Sequence, residues 1–469
     1  SLSSTPDARK GGAVFTTAVP ANLPHVGPEV VQQRAGSCRE LTDFVIYVCR
    51  ALGIPCAIDF MPIRGDENDS HQWVAFSDKY GILYYHEFPN GVSEVRKDGS
   101  FLYIRKDAMC GMPKIKVYRN TFSLNRSMQE EMLKLDTAIV PLFKDPHIVD
   151  ITFPYTKDFK KELQIPETAL YKGKPRSRIA YLCASKRMDW EPVAWTEFDG
   201  KNIVFTDIQK GPVMRVATYE RGRLRFWTDP FEINVSNEFH FFTPSDSVQD
   251  VTLFAKYTLR ADEMFLNRMI GGTFEGSNEP DFREKEVLYL INEKPKRLQT
   301  VVQSYSSKPY RYVRYVGPKD SHCNIAEAAF YTPNDTTLLK GKVIGTPGCF
   351  QKDGSHEYTN VFDGDVTTSF DYIEPSGGWS GLDLGTPKQI GRIVYTPRSY
   401  DNYIRSGDEY ELFYCVNKTG WFSLGIQLSG SDSLVYRKVP ANVMFLLKNY
   451  SRGRQERIFV YEDGKQRWK

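Results

Sequence analysis

The chain reads Gly36-Ser37-Cys38-Arg39-Glu40-Leu41, then Arg50-Ala51-Leu52-Gly53-Ile54-Pro55-Cys56, then His71-Gln72-Trp73-Val74. From Arg39 to Leu52, the apolar residues Leu41, Phe44, Val45, Val48, Cys49 and Leu52 recur at the spacing of one buried helix face. Gly53 stops that helix and Pro55 prevents its restart. Gly36 and Ser37 supply a turn and an N-cap, so Cys38 falls in the first helical turn. Unpaired N–H groups there favour the thiolate, the nucleophilic form of cysteine. A lone cysteine is more often a small core residue, the role expected of Cys49 and Cys56.

His71 gives Cys38 a chemical partner. Gln72 to Phe76 and Ile82 to Phe88 alternate as two strands, joined by the turn sequence Ser77-Asp78-Lys79-Tyr80-Gly81. A hairpin centred on Lys79 sets His71 directly across from Glu87, Trp73 across from Tyr85, and His86 across from Gln72 on the other face. A one-residue slip would exchange Glu87 for His86. A carboxylate beside an imidazole fixes its tautomer and stabilises the imidazolium that forms next to a thiolate. Cys38, His71 and Glu87 are therefore the candidate catalytic set.

These strings, with Tyr85-His86-Glu87-Phe88, resemble the core of the transglutaminase-like superfamily over roughly residues 30–90. The resemblance implies an α+β, papain-like fold with a Cys–His–acid triad carried by Cys38, His71 and Glu87. The third member in that family is usually Asp, so Glu87 is one methylene longer. For the oxyanion hole, the Cys38 backbone N–H is one expected donor. A side-chain amide from Gln32 or Gln33 is the second candidate, after the glutamine of papain-like enzymes; solvated glutamines are the plainer reading.

Composition limits the alternatives. A length of 469 residues suits about three domains. Basic and acidic residues number 61 and 58, with no basic stripe, which argues against a nucleic-acid partner. Aromatics at 13% with 34 Gly and 27 Pro suit many short strands. No stretch is apolar enough to span a bilayer. The eight cysteines and seven histidines are scattered, without metal-ligand spacing or a disulfide framework. The chain starts at Ser1, which suggests a leader or longer N-terminal region removed, and an extracytoplasmic location.

The catalytic domain is expected over 1–145, closing on a helix at Met128–Leu135, and a β-sandwich over 146–244. Beyond it, Tyr257-Thr258-Leu259-Arg260 is echoed by Tyr395-Thr396-Pro397-Arg398, and Tyr312-Val313 with Asn324-Ile325 by Phe445-Leu446 with Arg457-Ile458. This reads as two copies of one sandwich, over 245–335 and 336–469. The second carries Phe362-Asp363-Gly364-Asp365-Val366-Thr367-Thr368, then Leu382-Asp383-Leu384-Gly385. It resembles the discoidin, or coagulation-factor type C, domain, a galactose-binding-like jelly roll. That resemblance implies a structural calcium ion at Asp363, Asp365 and Thr368. It also implies sugar contact, for which Trp379 and Arg398 are candidates by type.

The expected protein is a monomeric multidomain cysteine hydrolase or acyltransferase, needing no catalytic cofactor. Its expected partners are a peptide or glycoprotein substrate and galactose-like glycans held by the accessory sandwiches. The reading from a different class is a non-enzymatic carbohydrate-binding or surface scaffold protein with a relic triad.

Overall fold

A computed structural model describes residues 14–15, 35–77, 83–87, 91–95, 101–103, 112–155, 159–258, 260–333, 337–350, 354–416, 420–453 and 455–469. The N-terminal unit pairs helix α1 (Cys38–Ala51) with seven strands. The strands are β1 (Cys56–Met61), β2 (His71–Ser77), β3 (Leu83–Glu87), β4 (Gly91–Val95), β5 (Phe101–Tyr103), β6 (Tyr118–Asn120) and β7 (Ile148–Asp150). They form one antiparallel sheet in the order β5-β4-β3-β2-β1-β6-β7. Val45, Ile46 and Cys49 of α1 pack on Val74, with Ile58 and Phe76 alongside. The opposite face buries Met61 and Trp73 against Met112, Val117 and Tyr155. Alternation along β2 thus sends Val74 to the helix and Trp73 away from it. Helix α2 (Ser127–Leu135) follows the sequence expectation within one residue.

The domain boundaries differ from those expected. Ile148–Asp150 pairs with Tyr118–Asn120, so the first sheet runs past residue 145. The next unit is a sandwich whose larger sheet centres on Ile179–Lys186 and Met214–Glu220, with Phe159–Gln164 and Val204–Gln209 paired outside it. Seven consecutive residues of Ile179–Lys186 are buried. Ala180, Leu182 and Ala184 face the sandwich core, while Ile179, Tyr181 and Cys183 face a second core. That second core also takes Tyr118, Met132 and Phe143 from the first unit and Cys415, Met444 and Leu446 from the last. A strand covered on both sides reads as an unbroken apolar run, as seen here.

The expected division at 335/336 is not a boundary. Pro309–Val316 pairs on one side with Thr273–Ser277 and on the other with Trp379–Gln389. Thr300–Gln303 and Cys323–Tyr331 both flank Arg392–Pro397. Phe274, Val313 and Ile325 share one core with Val361, Phe370 and Leu382. Residues 273–397 therefore close one sandwich. It is inserted into another, in which Val248–Leu253 pairs with Leu434–Pro440 and shares a core with Leu412, Phe445 and Phe459.

The internal repeat fails for the same reason. Tyr395 lies within a strand, whereas Tyr257 lies between a strand and the helix Arg260–Asn267. The strands of Tyr312 and Asn324 occupy different sheets, whereas those of Phe445 and Ile458 are neighbours in one sheet. Short apolar pairs suit any buried strand and carry no topology. It follows that residues 336–469, expressed alone, give no cooperative thermal transition, because they lack the strands from 248–316 that complete both cores. A fragment spanning 246–469 gives one. Calorimetry of the two fragments checks this.

Candidate active site

Ser37 caps α1. Its hydroxyl accepts from the Arg39 N–H at 3.4 Å, and its own N–H donates to Glu40 Oε2 at 2.8 Å, a reciprocal capping box. Cys38 is therefore the first helical residue, at the positive end of the helix dipole. Gly36 is required for this turn: a Cβ there would lie 2.3 Å from Glu40 Cβ. Gly36→Ala is expected to displace Glu40 and cost about 1–3 kcal/mol as an overpacked site, read as a lower melting temperature.

His71 opens β2, paired with Met61 of β1, and is buried. The hydroxyl of Thr42, one turn into α1, donates to the Gln72 carbonyl at 3.2 Å, so the first turn of the helix sits over the start of the strand. The two elements bring Cys38 close enough to His71 and to the Gln72 backbone N–H for both to act on the thiol. Burial pushes the Cys38 thiol up, and nearby Glu40 adds to that push. The hydrogen bond and charge of His71, with the Gln72 amide, outweigh both, and the thiol lies below its ordinary value.

Behind His71 stands a supporting chain that sequence reasoning missed. The His71 ring lies 5.8 Å from that of Trp73, which meets Tyr155 edge-on at 5.3 Å. The Tyr155 hydroxyl donates to Asp59 at 2.5 Å. Arg119 grips the same carboxylate with Nε at 2.7 Å and Nη2 at 2.8 Å. Asp59 is fully buried, opposite Trp73 in the β1–β2 register. A carboxylate on the apolar-facing side of Cys56–Met61 was the one available signal. Its partners lie 60 and 96 residues away, beyond any spacing rule.

The hairpin register corrects the expected pairing. Val74 faces His86, Ala75 faces Tyr85 and Ser77 faces Leu83, so paired numbers sum to 160 and not 158. Carried one pair further, the register sets position 87 across from Trp73, two residues along β2 from His71. A two-residue shift preserves parity, so position 87 keeps to the sheet face of His71, and position 86 to that of Val74. The Glu87 side chain and all of Gln32 lie outside the described residues.

The C-terminal candidates are engaged locally. Arg398 is ion-paired to Asp371 and lies 4.3 Å above the Phe265 ring. Trp379 packs on Phe282 at 5.6 Å with the Arg314 guanidinium 5.1 Å over its ring. In the Asp363-Gly364-Asp365 turn, Asp363 accepts from the Asp365 N–H at 2.7 Å and the Thr368 hydroxyl at 2.8 Å. The Asp365 carboxylate turns to the N–H and hydroxyl of Thr367. Burial and a hydrogen bond to Asp363 push the Glu327 carboxyl up to about 8. Among the described residues, no group of three His, Cys, Asp or Glu side chains is arranged to hold a metal ion. No helix among them is long and apolar enough to cross a membrane.

Set against models of known families, residues 13–86 match the transglutaminase-like superfamily. The matched stretch takes in Cys38 and His71 and ends one residue before Glu87, so the expected superfamily core is supported without its third member. No curated protein and no solved structure matches the chain.

Proposed function

We propose that this protein is a cysteine-dependent acyl-transfer enzyme, a hydrolase acting on an extracytoplasmic peptide or glycoprotein as a peptidase, amidase or peptide N-glycanase-like enzyme. The observation that carries the reading is the contact between a helix-capped cysteine, its thiol held low, and a buried histidine at a strand start. In this reading Cys38 attacks a carboxamide or peptide carbonyl, and His71 holds the thiol proton and passes it to the departing amine. The resulting thioester is then released to water, with the proton returned through His71. Glu87 orients His71, and Gln32 serves the oxyanion with the Cys38 N–H.

The test incubates the full chain with a peptide library and N-glycopeptides, with a primary-amine tracer present. New carboxyl ends or Asn-to-Asp conversion, absent in Cys38→Ala, mark hydrolysis. Tracer incorporation marks cross-linking instead, and products that persist in Cys38→Ala place the chemistry elsewhere.

The accessory reading is a discoidin-like, galactose-binding-like sandwich that docks a monomeric enzyme to glycans. Trp379 and Arg398, given their packing partners, serve it as framework more readily than as an open stacking platform. The calcium candidates Asp363, Asp365 and Thr368 share one turn, and Glu327, which accepts from the Gly364 N–H and hydrogen-bonds Asp363, is the carboxylate added to them in this reading. Glu327 is raised in the fold, so its favourable contribution is fully present below its unfolded value. It is lost as pH climbs toward about 8. Calcium in place of the shared proton reverses that loss. Added calcium is therefore expected to raise the melting temperature at pH 8, and not in Glu327→Gln; an equal response in both proteins removes the calcium assignment.

A further inference from the structure

The loop between β1 and β2 ends at His71; it touches its own unit, where the Gly65 N–H donates to the Pro113 carbonyl at 3.2 Å, and two other modules. It closes on itself through the Arg64 N–H donating to the Asp69 carbonyl at 2.9 Å. Arg64 also pairs with Asp66 at 3.1 Å and Glu67 at 3.0 Å. Asn68, three residues before His71, is buried. Its side-chain oxygen accepts from the Arg187 N–H of the middle sandwich at 2.9 Å and from Arg457 Nη1 at 3.4 Å. Its amide donates to the Glu456 carbonyl. Arg457 Nη2 donates to the Gly65 carbonyl at 2.8 Å. Arg457 is 1% exposed although it belongs to the outer C-terminal sandwich, nearly 400 residues along the chain from the loop it holds. Neither the Cys38 helix nor the sheet interior makes these contacts.

Burying a guanidinium costs several kcal/mol unless its donors are satisfied. Here Nη1 and Nη2 are spent on the nine-residue connection that delivers His71, while Nε is buried with no hydrogen-bond partner among the described residues. The acids of that loop, Asp66 and Glu67, also face Arg457, with Arg64 and Tyr257 beside them. The C-terminal sandwich thus fixes the entry to β2 through a junction of the N-terminal unit, the middle sandwich and the outer C-terminal sandwich.

We infer that Asn68 and Arg457 are positioning residues for His71, so that the Cys38–His71 pair is assembled only with the C-terminal module docked. This rests on the proposed cysteine chemistry. It requires no substrate to test, because the thiol reports its partner directly.

The experiment measures iodoacetamide alkylation of Cys38 against pH by peptide mapping, in the full chain and in Arg457→Lys. The lysine keeps a positive charge and loses the fork. Asn68→Ser is run in parallel, removing the junction from the loop side in case the first variant folds poorly. Loosening His71 is expected to move the Cys38 profile to higher pH and to slow labelling at pH 6.5 about tenfold, one unit of thiol pKa. A purely structural role would lower the melting temperature and leave the profile in place. Variants that fold and keep the wild-type profile overturn this inference alone. A wild-type Cys38 with the profile of an ordinary thiol overturns it together with the proposed function.

Discussion

Under the proposed cysteine chemistry, Cys38→Ala and His71→Ala are each expected to lower acyl-transfer turnover by about 10⁴-fold or more, because a nucleophile and its base act as a unit. Removing either leaves only the binding and oxyanion contributions. The Cys38 side chain is half-buried at a helix terminus and takes part in no core cluster among the described residues, so Cys38→Ala should leave the melting temperature nearly unchanged. Glu87→Gln should cost less than either, because orienting a base that is already held by other contacts contributes less than supplying it. Turnover of the best library substrate by the three variants checks the order. Equal losses in Glu87→Gln and Cys38→Ala would give Glu87 a larger part than this account allows.

The second large effect is on stability. Arg119→Ala leaves the fully buried Asp59 carboxylate without its bidentate partner. Breaking a buried pair from one side costs about 3–5 kcal/mol. Tyr155→Phe removes one hydrogen bond to the same carboxylate and should cost about 1.5–3 kcal/mol. Because Tyr155 packs on Trp73, and Trp73 on His71, both variants should also slow the chemistry. Denaturant melts with matched turnover measurements check this. A stable Arg119→Ala protein would show that the Asp59 network is not holding the site.

What could be read from the sequence was local. The helix expected over 39–52 forms over Cys38–Ala51, and the strand expected over 72–76 forms over His71–Ser77. Helical and strand periods are properties of adjacent residues, and the capping signals at Ser37 and Gly53 are too. The β2–β3 register expected from the sequence differs from the observed one by two residues, because alternation fixes parity but not the centre of the turn. Domain boundaries were read least well. Sandwich strands pair across long gaps, as Val248–Leu253 does with Leu434–Pro440, and nothing in a short apolar run names its partner. The junction of Asn68 with Arg457 and the grip of Arg119 on Asp59 share that cause.

The most direct test of the central claim is competitive alkylation of the native wild-type chain at pH 6.5, resolved by peptide mapping. Burial pushes Cys49, Cys56, Cys183, Cys323 and Cys415 up, while the contact with His71 holds Cys38 down. A thiol lowered in the fold keeps its thiolate below the unfolded value of about 8.5 and loses it only as pH falls through the folded one. The stability linked to it is present above the unfolded value and is lost over the same fall. Cys38 is expected to label first, about tenfold or more ahead of an unfolded cysteine peptide, with the lead abolished by His71→Ala. Labelling of Cys38 no faster than that peptide, or unchanged in His71→Ala, would contradict it.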